Sequence, residues 1–443
     1  MARRAFDPKE DDAVVAPSAV PVAGPPPRPR APRRPEPAAL PLRMPVIGME
    51  AEFTPVVDGV DVDPLAYWSH PSDFVEAPML PRTGKSSQLP TGGAVYFDTG
   101  AVEVVTPVIE LAPSCTARMV RNLWEQIGFV RAELTKWEAR SGHTVTLRAF
   151  SSHYNVAFEL SRRERAHGRT IDKLALLLAY VLPVPVALVA TNRRSTGVGV
   201  RPRGNRIEVT VDFTPDPSRM LAAAALIVGI VRDVMSWSSY ELGELASRGI
   251  PTVAGIVPGK HTSRRGWLTK DHQYQVSPYT CDPNAPLFPV ADGRVLSLRE
   301  MARETAWRFR RSIRRTSDAF SFRLLFAILE GRVPSLLELS DRPGAYEDVG
   351  RACRWGAVIE ELRCWRPPSG IRWRPPTPFP DRGLARSDYE SVFLRMVAGG
   401  SLRIGGRLFK PVAMKGWYHA VLRGEADGEE RILSLDRLLQ LIG

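Results

Sequence analysis

Acidic side chains two apart in an apolar run are the first feature of this sequence that could do chemistry. In GMEAEF (48–53), Glu50 and Glu52 stand at the period of a β-strand, so both project from one face. Two carboxylates facing a protein interior are costly unless cations or donors meet them. Of three further polar-bearing segments, two repeat the pattern. AVYFDTGAVEVV (94–105) carries Asp98 and Glu103, HYN (153–155) sets His153 and Asn155 at i and i+2, and RIE (206–208) does the same with Arg206 and Glu208. Asp98 and Glu103 are an odd number of positions apart, so they share a face only if the chain bulges between them, for which Gly100 is suited. Taken singly, each pair reads as ordinary surface polarity, and His153 as a satisfied, half-buried histidine. Their recurrence over four strands favours a sheet face that gathers a divalent cation and phosphate. Oxygen ligands with an occasional imidazole suit Mg2+ or Mn2+.

The elements that must position these groups follow from periodicity. MPVIGMEAEF (44–53) reads as the opening strand and residues 94–111 as strand-like. A helix then starts at Ser114 or Thr116 and keeps Met119, Leu123, Ile127 and Val130 on one face up to about Arg140. Strands follow at 145–152 and 153–160, a helix near Ile171 to Tyr180, a strand at 206–213 and a long buried helix from Ser218 to about Leu242. Another helix, from Ser297 to about Leu329, is rich in arginine. Near the C-terminus, Gly405-Gly406 marks a hairpin, a second hairpin follows, and SLDRLLQLIG closes the chain as a helix.

The chain has 443 residues, 44% of them hydrophobic and 24% charged, with a formal charge of +12. Such a composition is globular and argues against a wholly disordered or fibrous protein. Eleven of the 40 prolines fall in residues 1–44, together with eight basic and five acidic residues. That segment reads as a disordered Pro/Arg-rich arm. The remaining chain divides into a catalytic domain at 45–364, a Pro-rich linker at 365–384 and a small α+β domain at 385–443. Four cysteines without a CxxC pair form neither a disulfide framework nor a zinc set, and a cytoplasmic location is expected. The apolar runs are short or broken by Pro183 and Pro185, so no membrane association is expected.

The order of these segments resembles the Pup ligase and Pup deamidase/depupylase family, in the carboxylate-amine ligase branch of the glutamine-synthetase-like fold. GMEAEF is similar to the family's opening strand, and LPTGGAVYFDTGAVEVVTP (89–107) to its Y-x-D-x-G-x-x-E segment. SSHYNV (151–156) is similar to its H-E-N strand, and RIEVTVDFTPDPSRMLAAAALIVGIVRDVM (206–235) to its R-L-H-V strand and the helix behind it. The resemblance implies a curved antiparallel sheet with helices packed on its convex face. It implies that Asp98 and Arg206 are catalytic, that Tyr96, Asn155 and Arg206 bind ATP, and that Glu50, Glu52, Glu103, His153 and Glu208 hold Mg2+. Outside the resemblance, Lys260, Arg264 or Arg265 in GKHTSRRG (259–266) is a further candidate to meet the phosphates. The chain departs from the family pattern at Tyr154, where an acidic ligand is expected, and at Glu208, where a histidine is expected.

The implied activity is an ATP-dependent carboxylate-amine ligation through an acyl phosphate. Its partners would be an acidic protein modifier, a peptide or a small carboxylate, together with an amine acceptor. The connection between Glu50 and Asp98 is short, which leans toward ligation. Amide hydrolysis on the same fold, and a silent binding protein for an acidic partner, are the alternatives. Two rival signals are weaker. Gly84-Lys85-Ser86 ends like a P-loop, but Met79 stands where its first glycine belongs. The arginine-rich helix has no accompanying nucleic-acid motif, so a nucleic-acid partner is not expected.

Overall fold

The computed structural model describes residues 45–82, 86–195, 197–261, 266–339 and 385–442. The expected N-terminal arm, the Pro-rich linker, the P-loop-like Gly84-Lys85 and Arg264 all lie outside the described residues.

The opening strand β1 (Val46–Val57) alternates between buried and half-buried positions from Ala51 onward. Ile47, Met49, Ala51 and Phe53 are buried in the main core, while Glu50 and Glu52 take the other face. Strands β2 (Ala94–Asp98) and β3 (Ala101–Val105) form a hairpin. Its two turn residues, Thr99 and Gly100, have φ of 46° and 81°, the left-handed pair that tight hairpins require. The bulge expected between Asp98 and Glu103 is therefore a chain reversal, and the odd spacing is absorbed by the turn. Helix α1 (Cys115–Ser141) follows, then β4 (Val145–Ala157), one continuous strand where two were expected.

Helices α2 (Ile171–Val181) and α3 (Pro183–Ala190) break at the prolines. Strands β5 (Val198–Pro202) and β6 (Arg206–Asp212) precede helix α4 (Pro217–Met235), which ends short of the expected Leu242. Among the described residues the strands join into a 12-stranded antiparallel sheet whose centre runs β5-β6-β4-β1-β3-β2. Helices α1 and α4 pack on one face of this sheet. The fold is thus mixed α+β, with the polar strand face turned away from the helical core.

The expected single helix from Ser297 to Leu329 is three: α5 (Leu298–Arg308), α6 (Arg310–Thr316) and α7 (Ala319–Leu329). Ser317 is extended and Asp318 caps α7 by accepting from the Phe320 and Ser321 amides. A strong N-cap inside an apolar pattern restarts the helix. The break lets α6 lie against α4, where Gly229 leaves room: a Cβ there would meet Ile313 Cα at 2.6 Å.

Residues 385–442 form helix α8 (Asp388–Val397), a four-stranded antiparallel sheet and helix α9 (Leu435–Ile442). The sheet runs β7 (Leu402–Ile404), β8 (Arg407–Lys415), β9 (His419–Gly424) and β10 (Glu430–Ser434). Its core gathers Tyr389, Phe393, Phe409 and Leu422, and takes in Val46 and Val108 from the main body. Among the described residues no single helix is long and apolar enough to cross a membrane; α2 and α3 pass together but are bent by 58°.

Candidate active site

Strand register sets the polar side chains in cross-strand rows. Tyr96 opposes Glu103, Glu103 opposes Glu52, and Glu52 opposes Ser151. One row along, Glu50 opposes His153, and in the next Asn155 opposes Glu208, which opposes Arg201. Directly opposed residues share a face, so these rows bring carboxylates, an imidazole, an amide and an arginine onto one surface. Except for Glu208, buried behind the arginines, and Asn155, at the edge, these residues line a cleft of about 410 Å3 together with Asp98, Arg203, Arg206 and His261.

A bulge in β4 makes this possible. Val145, Leu147 and Ala149 face the core, and without interruption residues 151, 153 and 155 would follow them there. The register shifts where Glu52 pairs Ser151 and Phe53 pairs Ala149, leaving Phe150 as the extra residue. Beyond it Ser152, Tyr154 and Val156 are the buried core positions, and Ser151, His153 and Asn155 turn to the cleft. Tyr154, where the resemblance implies a missing acidic ligand, is fully buried on the helical side. The substitution there leaves the cleft's own ligand set untouched.

Glu50 is the hub of the hydrogen-bond network. Its Oε1 takes His153 Nδ1 at 2.9 Å and Asn155 Nδ2 at 3.3 Å, and its Oε2 accepts from the Tyr96 hydroxyl at 3.2 Å. Burial works against the Glu50 carboxylate, yet the bond and attraction to His153 and the nearby Arg206 charge hold its pKa below the ordinary range. The His153 imidazolium is disfavoured by burial but held above its usual range by Glu50 and Glu52. His153 Nε2 stands 3.7 Å from Glu52, which also accepts from the Ser151 hydroxyl. At Glu103 burial and the Glu50 charge outweigh the Tyr96 hydrogen bond and the His153 charge, and push it up to about 8.

On the other side of the cleft, Asn155 Oδ1 accepts from Arg206 Nε at 2.7 Å. Glu208 is fully buried, paired with Arg201 and with Arg203 Nε at 2.9 Å, and its Oε2 lies 4.0 Å from Arg206 Nη2. Arg201 and Arg203 escaped sequence reasoning, although R-x-R at 201 and 203 carries the same strand period as the acids. Asp98 stands exposed at the hairpin tip, accepting from Thr99 Oγ1 at 2.9 Å. Lys260 falls on the short strand Gly259–Lys260, and it is its neighbour His261 that reaches the cleft lining.

A second, apolar slot opens beside the cleft. Ile47, Val105 and Val108 line it on one side and Trp417 and Tyr418 from the turn after β8 on the other, and it shares Glu50, Asn155 and Arg206 with the polar region. Arg82 stacks on Trp417 at 3.4 Å from the ring centroid. The aromatic pair was not foreseen, because nothing local in KGWYHA distinguishes it from ordinary packing.

The donors fit a hard divalent cation. Glu50, His153 and Glu208 bring oxygen or nitrogen atoms within 4.8 Å of one another, Glu208 by distance although arginines surround it, and Glu52 and Glu103 add carboxylates on the same face. Carboxylate crowding of this kind suits Mg2+ or Mn2+ better than a soft metal.

No family profile and no curated protein matches the chain. Among solved structures it is similar to the complex between prokaryotic ubiquitin-like protein Pup and its ligase PafA. That match has 10% identity and a TM-score of 0.41, and it covers 90% of this chain and 92% of the other. A likeness of this degree assigns neither family nor activity.

Proposed function

We propose that the protein is an ATP- and Mg2+-dependent carboxylate-amine ligase of the Pup-ligase-like kind. The observation that carries this reading is the pairing of an acidic row and an arginine row on one sheet face, with an aromatic slot alongside. A purine is the proposed occupant of the apolar slot walled by Trp417 and Tyr418, and its phosphates would then lie over Asn155 and Arg206. Glu50, Glu52 and Glu103 would hold Mg2+, which supplies neutralisation of phosphate charge.

The residues of this chain then have distinct tasks. Arg206, fixed by Asn155, stabilises charge on the transferring phosphoryl group. A carboxylate oxygen of the donor attacks the γ-phosphorus, the bond to ADP breaks, and an acyl phosphate results. An amine attacks its carbonyl carbon, phosphate leaves, and Asp98 takes the amine proton. Asp98's exposed place at the cleft rim suits a group that must meet a second, incoming substrate. A protein modifier or peptide with a terminal carboxylate is the proposed donor.

The test is ADP release by the purified full chain with ATP, Mg2+ and pooled carboxylates and amines. Turnover is expected to fall at least about 100-fold in Asp98→Asn, the usual scale for a lost general base, with ATP affinity kept within about twofold. A chain that binds ATP but releases no ADP with any pool overturns the ligase reading. Amide cleavage without net ATP consumption would favour the hydrolase instead.

A further inference from the structure

We infer that Glu208 is the buried clamp of an oxyanion site, aiming Arg201, Arg203 and Arg206 into the cleft, and is not a ligand of the cation beside it. The inference deepens the ligase reading, on which it rests only for the identity of the natural anion, a phosphoryl group.

Both oxygens of Glu208 are in ion-pair contact with arginine, although only Oε2 accepts a hydrogen bond from one. One meets Arg201, the other meets Arg203 Nε at 2.9 Å, and Arg206 Nη2 stands 4.0 Å away. A carboxylate shared among three guanidinium groups has little to offer a divalent cation, and the surplus positive charge around it repels one. The geometry makes sense in the opposite direction. Arg201 lies directly across the ladder from Glu208, and Arg203 sits in the turn that joins β5 to β6, its amide bonded to the Arg206 carbonyl at 2.9 Å. One hairpin therefore delivers all three arginines.

The site has spare capacity for an anion. Arg201 is 8% exposed and its Nε has no hydrogen-bond partner among the described residues. All three guanidinium groups line the cleft. Guanidinium forks bind phosphoryl oxygens in a plane with two parallel bonds. Asn155 joins the two halves, donating to Glu50 and accepting from Arg206. A bound phosphate chain would thus rest between the arginines and the carboxylates that hold the cation.

The experiment uses the full chain and two probes applied separately: inorganic tripolyphosphate without metal, followed by calorimetry, and Mn2+ alone, followed by electron paramagnetic resonance. Arg201→Met and Arg203→Met are each expected to weaken tripolyphosphate binding at least tenfold. Glu208→Gln is expected to leave Mn2+ affinity within twofold. Removing one member of a buried pair can cost the fold, so E208Q/R201M, which removes the pair together, is measured beside the singles. It should lose tripolyphosphate affinity tenfold and keep Mn2+. A tenfold loss of Mn2+ in either Glu208 variant overturns the inference, as does tripolyphosphate binding that is absent or indifferent to both arginines. Neither probe requires turnover, so failure of the ligase reading and failure of this one are separable.

Discussion

Glu52 and Glu103 oppose each other directly across the β1–β3 ladder, on the cleft side and with no cation between them. Burial and the Glu50 charge push Glu103 up to about 8, so at neutral pH it is largely protonated and the repulsion that like charges would bring to that position is already relieved. Glu103→Gln should therefore leave the melting temperature in EDTA unchanged or raised. The same variant should weaken Mn2+ binding at least tenfold. A loss of Mn2+ affinity that merely follows a loss of fold would show up as a lowered melting temperature, and would remove Glu103 from the ligand set.

The β4 bulge makes a second prediction about a residue that itself does no chemistry. Phe150 is 37% exposed, so Phe150→Ala should cost under about 1 kcal/mol in urea unfolding, the ordinary range for a surface change. Deleting the residue is a different matter. It returns His153 and Asn155 to the core face and drives Tyr154 into the cleft, a one-residue slip that inverts every position beyond it. The deletion should not yield a cooperatively folded, Mn2+-binding protein. A folded deletion variant with intact metal binding would show that the bulge does not aim the site.

Two glycines in long helices should respond oppositely to alanine. At Gly229 the new methyl meets the Ile313 backbone at 2.6 Å, and overpacking of that sort costs about 1–3 kcal/mol. At Gly128 on α1 nothing lies within 4 Å of the added Cβ. Gly128→Ala should stabilise by up to about 1 kcal/mol, the helix-propensity difference. Denaturant midpoints at a common slope measure both.

The junction with the C-terminal sheet should carry a pH signature. Glu110 accepts from the Tyr389 amide at 2.5 Å, yet burial is the larger influence and raises its pKa above the ordinary value. A carboxyl raised in the folded state binds more protons there than in the unfolded state, so stability falls as pH rises above the unfolded value. Wild type should lose stability relative to Glu110→Gln as pH climbs from about 4.5, the unfolded carboxyl value. Parallel thermal melts from acid to neutral pH check the sign; a difference that grows toward acid would refute it.

The strand residues were legible because a period of two is local. Glu50 with Glu52, and Arg206 with Glu208, needed only alternation and an apolar background. His153 and Asn155 could be assigned to one face, but not to which face, because that depends on an extra residue at Phe150 seen only in pairing with β1. The switch of buried positions from odd numbers up to Ala149 to even numbers from Ser152 was the available signal. Asp98 and Glu103 were joined by a bulge in the sequence reading and by a reversal in the structure, since Thr99-Gly100 satisfies either. The second break of the arginine-rich helix turned on Asp318, a cap just ahead of the apolar Ala319–Leu329 pattern, while the first, at Phe309, carries no side-chain cap. Trp417 lies over 360 positions from Glu50 in the chain, and no local pattern links them.

The shared core of Val46, Val108, Tyr389 and Phe409 fixes an order of completion. During synthesis the acidic and arginine rows are made before Trp417, which walls the slot. A nascent or clipped chain ending before Asp388 would expose Val46 and Val108 and leave the slot open on one side. The segment beyond Asp388 thus acts as a seal on a slot whose other wall belongs to the main sheet.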